Sequence, residues 1–175
     1  MSAAPPTIHF NHGKESGPWG SKIKALAEVG RLRGLKVSSL DYSDLADPSQ
    51  RVERLVQSGA ARGDILVGSS MGAYVATVAS EQLLPRGLFL LAPAFFVAGF
   101  PVAAPVPHAP RVSLVHGWSD DVVPVSGSLR FAEAFRASTH FELHLVPDDH
   151  RLGAQLPLIE MLFGRFLDQV LADGG

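Results

Sequence analysis

Three clusters of residues in this chain have the types and spacing that nucleophilic chemistry needs. Gly68, Ser70 and Gly72 make a G-x-S-x-G pattern between a short aliphatic run, residues 65–67, and a segment of helical apolar spacing that begins at Met71. A serine on so tight a turn from strand to helix is held in a strained backbone with its hydroxyl pointing outward, and its neighbours two residues away come too close for large side chains. The hydroxyl is a poor nucleophile until a base takes its proton, and histidine is the usual base. His150 stands in the polar stretch V-P-D-D-H-R-L-G. That histidine in turn needs a carboxylate to fix its tautomer and stabilise its charged form. H-G-W-S-D-D-V-V-P supplies Asp120 and Asp121, two adjacent side chains that cannot both aim at one imidazole. Serine, aspartate and histidine in that chain order point to acyl transfer through a covalent intermediate.

Such residues have to be positioned by elements, and the sequence marks them. A first strand at residues 7–10 stops at the Gly- and Pro-rich loop N-H-G-K-E-S-G-P-W-G. A helix follows over 21–33, with Ile23, Leu26, Ala27 and Gly30 on one side and Gly34 as its C-terminal cap. K-V-S-S-L-D-Y is a second strand. Asp47 and Pro48 suit the N-cap and first position of a second helix, whose apolar stripe is Val52, Leu55, Val56 and Gly59. Ser70 lies between the strand after Asp64 and a helix running to about residue 84. G-L-F-L-L-A-P and R-V-S-L-V-H-G are the fourth and fifth strands, and Pro124 and Ser126 precede a helix ending near residue 137. In H-F-E-L-H-L-V, Phe141, Leu143 and Leu145 alternate with Glu142 and His144, which predicts one exposed face and hence an edge strand. A last amphipathic helix is expected over 153–171. Strands alternating with helical stretches predict an α/β fold, a doubly wound, six-stranded, mainly parallel sheet with helices on both faces, and one domain over 1–175. Ligands of such sheets bind beyond the carboxyl ends of the strands. Residues 11–14, Ser70, Asp120, Asp121 and 148–150 all fall there.

Four segments in register resemble one family. His12-Gly13, G-S-S-M-G at 68–72, H-G-W-S-D-D-V-V-P at 116–124 and D-D-H-R at 148–151 are similar to the motifs of α/β-hydrolases, in the minimal form of small bacterial esterase-like proteins. The resemblance spans nearly the whole chain. It implies six parallel strands in spatial order 2-1-3-4-5-6, with the family's first two strands missing. It implies Ser70 as nucleophile, His150 as base and Asp120, rather than Asp121, as the partner of that base. It implies an oxyanion hole made by the backbone N–H groups of Met71 and Lys14. Many relatives carry a lid after the fourth strand; here residues 92–110 are short and hold five prolines, so a flap is the most that fits. The implied function is a serine hydrolase of small carboxylic esters. Thioesterase or amidase activity is the alternative among enzymes, and a weakly catalytic ligand receptor or interaction module the alternative outside them.

The remaining features bound this reading. A formal net charge of −2 with no basic block argues against nucleic acid or an anionic membrane as partner; the partner the resemblance implies is a small acyl molecule. There is no cysteine, hence neither a disulfide framework nor a thiolate metal site. No cofactor or metal is expected. His140 and His144 sit four apart, about 13 Å along a strand, too far for one metal ion. His9 and His116 read as hydrogen-bonded structural groups at apolar strands, and Asp148 and Asp149 as loop and helix-capping residues. Trp19, Trp118, Phe95 and Phe96 are candidates for the pocket wall. No leader segment or membrane-length apolar run is visible, so a cytoplasmic location is expected. Oligomeric state and the natural acyl group stay open.

Overall fold

The structure, a computed structural model, describes residues 5–137 and 140–173; the first four residues, part of the segment read for a leader, lie outside them. Six strands form one sheet: β1 (Thr7–Asn11), β2 (Lys36–Leu40), β3 (Ile65–Ser69), β4 (Gly87–Leu91), β5 (Val112–Gly117) and β6 (Phe141–Val146). All neighbours are parallel, in the order β2-β1-β3-β4-β5-β6. Five helices connect and follow them: α1 (Ser21–Arg31), α2 (Pro48–Gln57), α3 (Met71–Leu83), α4 (Val125–Phe135) and α5 (Leu156–Ala172).

The central strands are apolar on both faces because both faces are covered. Ile8, Phe10, Ile65, Val67, Phe89, Leu91 and Val115 pack with Ile23 and Leu26 of α1 and with Ile159, Phe163 and Leu167 of α5. The alternate residues Leu66, Leu88, Leu90 and Leu114 pack with Leu55 of α2, Val75 and Ala79 of α3 and Phe131 of α4. Local chemistry sets the ends of the helices. Asp47 accepts the N–H of Ser49 at 2.8 Å, with Pro48 next in the chain, so α2 begins where the sequence predicts. α1 stops at Arg31, two residues early, and Gly34 at φ +74° closes it: Gly34 N–H bonds Arg31 O and Leu35 N–H bonds Gly30 O.

Three expectations change in detail. α5 starts at Leu156, not residue 153, because Asp148 accepts the N–H of Gln155 at 2.9 Å and Leu152 takes φ +57°, holding the preceding residues in a loop. The buried residues of α2 are Arg51 and Leu55, whereas Gly59 lies outside the helix at φ +86°. β6 is an edge, but no face of it is fully exposed. Glu142 on its polar face is engaged by Arg165 of α5 and by His144.

Candidate active site

The G-x-S-x-G turn joins β3 to α3. Ser70 sits at φ 55°, ψ −119°, a strained conformation for a residue with a side chain. Its N–H bonds Leu91 O at 2.9 Å, and its carbonyl accepts Ala73 N–H at 3.0 Å and Ala94 N–H at 3.1 Å. The glycines on either side are required by close approach. A Cβ on Gly68 would lie 2.4 Å from Ala73 Cα and Gly72 O, and one on Gly72 would lie 2.0 Å from Asn11 O. The turn that carries Ser70 therefore rests directly on the end of β1.

Two loops bring polar side chains toward Ser70. The loop after β6 carries His150, whose Nε2 lies 3.1 Å from Ser70 Oγ. The loop after β5 carries Asp120, whose Oδ2 lies 2.7 Å from His150 Nδ1. With Nδ1–H donating to the carboxylate, Nε2 is free to accept from the serine hydroxyl. The Asp120 side chain is fully buried, while the His150 side chain is 19% exposed. Burial alone raises the Asp120 carboxyl; the N–H of Val123, His150 and the N–H of Val122 outweigh it and hold the carboxyl below the usual carboxylate range. Asp121 is exposed.

Asp120 has a second imidazole beside it. His116 Nε2 lies 2.9 Å from Asp120 Oδ2 and 3.0 Å from Val123 O. Facing only acceptors, that nitrogen carries the hydrogen, and Nδ1 accepts from the Ser128 hydroxyl of α4 at 2.6 Å. Oδ1 accepts Val122 and Val123 N–H at 3.0 and 2.8 Å. The carboxylate is thus pinned by four donors. The hydrogen-bonded role expected of His116 is what the structure shows; Ser128 as its partner has no signature in the sequence.

Met71 and Lys14, the residues expected to form the oxyanion hole, lie next to Ser70 and next to Gly13 in the chain. Met71 opens α3, where the N–H groups of a helix lack intrahelical acceptors, and its side chain is buried in the core. Lys14 follows Gly13, whose Cβ position is 3.4 Å from Ser70 Cβ. Behind this loop lies a buried polar network that sequence reasoning missed. Asn11 Nδ2 donates to His9 O and Val67 O, and Asn11 Oδ1 accepts from Tyr42 Oη at 2.6 Å. His12 Nε2 accepts the N–H of Tyr42 at 2.9 Å, and its Nδ1 donates to Gly13 O at 2.7 Å. Burial is the main cause holding the His12 ring below its ordinary value, with the Arg51 charge adding to it, so the ring stays neutral and able to accept. The one available signal for Arg51 was its place four residues before Leu55, on the buried stripe of α2.

The aromatic candidates separate. Phe95 is 3% exposed and stacks on Phe131 at 4.4 Å, so it belongs to the core, not to a pocket wall. Phe96, at φ 57°, is half-buried, with the Arg130 guanidinium 4.1 Å above its ring. Trp19 is 38% and Trp118 56% exposed, on the loops after β1 and β5. Among the described residues no group of three or more His, Asp or Glu side chains is gathered as for a metal ion, and no helix is long and apolar enough to cross a membrane.

Comparison with known proteins agrees with this architecture. No curated protein matches the sequence. Among solved structures, a protein of the alpha/beta hydrolase superfamily from Xanthomonas campestris pv. campestris is 32% identical with a TM-score of 0.82, over 94% of this chain and 99% of that one. Mouse alpha/beta hydrolase domain-containing protein 10 is 20% identical with a TM-score of 0.76, over 97% and 92% of the two chains. A second Xanthomonas campestris protein, described as an α/β serine hydrolase without lid, is 18% identical with a TM-score of 0.69, over 97% and 84%. The last two speak to the fold alone. Residues 10–172 match the model of the alpha/beta hydrolase family, and the chain belongs to that family.

Proposed function

We propose that this hydrolase is a serine esterase acting on small carboxylic esters. The observation that carries the reading is the continuous relay from Ser70 Oγ to His150 Nε2 at 3.1 Å and from His150 Nδ1 to Asp120 Oδ2 at 2.7 Å. In the first half-reaction Ser70 Oγ attacks the acyl carbonyl while His150 Nε2 takes the hydroxyl proton. The buried Asp120 carboxylate stabilises the imidazolium that results. The carbonyl oxygen becomes an oxyanion held by the N–H groups of Met71 and Lys14, each such donor being worth about 3–4 kcal/mol by precedent. His150 then gives its proton to the departing alcohol, leaving an acyl-serine. In the second half, water adds to the acyl carbon as His150 takes its proton, and the carboxylic acid leaves as Ser70 is reprotonated. No step calls for a cofactor.

The open rim of Trp19, Trp118 and the exposed Val122 favours a small substrate, because it offers little wall to bury a long chain. A fluorophosphonate probe tests the reading: the wild type labels at one serine, and Ser70→Ala, folded, neither labels nor turns over a nitrophenyl ester. Ester turnover by Ser70→Ala at the wild-type rate would remove Ser70 from the role.

A further inference from the structure

Arg51 is 2% exposed. A guanidinium so buried is ordinarily matched by a carboxylate. Here every hydrogen bond the structure gives it ends on a main-chain carbonyl. Nε donates to Leu45 O at 2.8 Å, Nη2 to Tyr42 O at 3.3 Å, and Nη1 to both His12 O at 3.2 Å and Gly13 O at 3.3 Å. The guanidinium carbon lies 5.3 Å from the centre of the Tyr42 ring. One side chain of α2 therefore fastens two separate stretches of backbone, the loop after β1 and the loop after β2.

The bond to Gly13 O has a stereochemical consequence. A trans peptide is planar, with its C=O and N–H pointing in opposite directions. The carbonyl of Gly13 is drawn inward by two buried donors, Arg51 Nη1 and, at 2.7 Å, His12 Nδ1. The N–H of the same peptide belongs to Lys14, so it is turned away from the interior. Gly13 itself backs onto the nucleophile, its Cβ position lying 3.4 Å from Ser70 Cβ and 3.5 Å from Ser69 O. The loop that carries this N–H therefore lies against the Ser70 turn.

We infer that Arg51, with His12, is a positioning residue that sets the orientation of the Gly13–Lys14 peptide and so presents the Lys14 N–H to a developing oxyanion. The inference rests on the serine-hydrolase reading of the site. Arg51 touches no substrate; it acts through the backbone. Its loss frees the peptide to rotate, which removes one of two oxyanion donors and leaves Ser70, His150 and Asp120 in place.

The test uses Arg51→Met, which keeps the bulk of the side chain and removes its donors, and Arg51→Lys, which keeps the charge and one donor group. For folded Arg51→Met, kcat falls about 10²–10³-fold, the loss seen when one such donor is removed. KM changes less than about threefold, since the donor engages the oxyanion and not the bound ground state. The affinity for phenylboronic acid, whose tetrahedral adduct places an oxygen at the same point, falls with kcat, the acid limb of the pH profile does not move, and Arg51→Lys lies between. A folded Arg51→Met that binds the boronic acid as the wild type does overturns the inference. If both variants fail to fold, His12 decides. His12→Asn can keep a donor near Nδ1 and His12→Gln cannot, so His12→Asn must bind the boronic acid more tightly; equal or reversed affinities overturn the inference. A wild type whose Ser70 ignores the fluorophosphonate sinks the hydrolase reading instead. In that event a crystal structure of Arg51→Met still decides the orienting role, a rotated Gly13–Lys14 peptide supporting it and an unmoved one refuting it.

Discussion

Replacing Asp120 by Asn keeps the shape of the site and reverses its hydrogen-bond logic. In the native protein Oδ1 accepts Val122 and Val123 N–H at 3.0 and 2.8 Å, and Oδ2 accepts His150 Nδ1 at 2.7 Å and His116 Nε2 at 2.9 Å. A carboxamide has one oxygen, so one pair of donors must meet an NH₂ group. With the oxygen left on the two main-chain N–H groups, the NH₂ faces both imidazoles. His150 escapes by taking the other tautomer, which puts a hydrogen on Nε2, and Ser70 loses its base. In a serine protease with the same three side chains this exchange costs about 10⁴ in kcat, or about 5.4 kcal/mol at about 1.36 kcal/mol per tenfold. The unmatched donors add a stability cost of about 1–3 kcal/mol, which for a chain of this size lowers Tm by about 2–4 °C per kcal/mol. Steady-state kinetics on nitrophenyl acetate, with thermal melts of the same preparations, measure both. Asp121→Asn is the control: the side chain is exposed, so its rate stays within about twofold of wild type. Asp120→Asn within tenfold of wild type, or a larger loss in Asp121→Asn, would refute the assignment.

Other outcomes follow from the same geometry. Gly72→Ala forces a methyl to 2.0 Å from Asn11 O and should cost about 3 kcal/mol or more with loss of fluorophosphonate labelling, whereas Gly153→Ala, with nothing within 4 Å of the new carbon, should be nearly neutral; denaturant midpoints compare the two. The Asp120 carboxyl is held below its unfolded value, so the unfolded chain binds more protons in that range, and the stabilisation is present above the unfolded carboxylate range and lost as pH falls through the folded value. Chemical denaturation between pH 6 and 3 should therefore show a shallower acid slope for Asp120→Asn than for wild type; parallel slopes would mean that the carboxyl is not depressed. Nitrophenyl esters of two to about six carbons should be turned over best, because each further CH₂ contributes about 0.8 kcal/mol only where it is buried, and a steady rise toward long chains would reveal an apolar tunnel.

What could be read from the sequence was whatever local chemistry dictates. The apolar runs of β3, β4 and β5 demanded burial on both faces, Asp47-Pro48 announced a helix, and the paired glycines around Ser70 announced a turn that tolerates no Cβ. The fold and the residues that converge on Ser70 were legible for that reason. Arg51 was not, because a charge on a helix reads as solvent-facing unless its acceptors are known, and those acceptors are carbonyls of two distant loops. Phe95 was misplaced for the converse reason: an aromatic residue near a strand end suits a pocket wall or a core equally well, and only the position of Phe131 settles which. The start of α5 depended on a side-chain bond from Asp148 across seven residues, beyond the reach of helical periodicity.

The contact of Gly72 with the end of β1 separates what can vary in this protein from what cannot. Main chain lies on main chain there, so the reactive centre inherits the rigidity of the sheet and has no slack with which to adapt to a new substrate. Trp19, Trp118 and Val122 stand outside that contact, their side chains exposed on the loops after β1 and β5. Changes of selectivity can therefore accumulate in the rim at little cost to the machinery beneath, a division of labour that makes the chain a suitable scaffold for directed evolution, with the rim as the library and the glycine turn left alone.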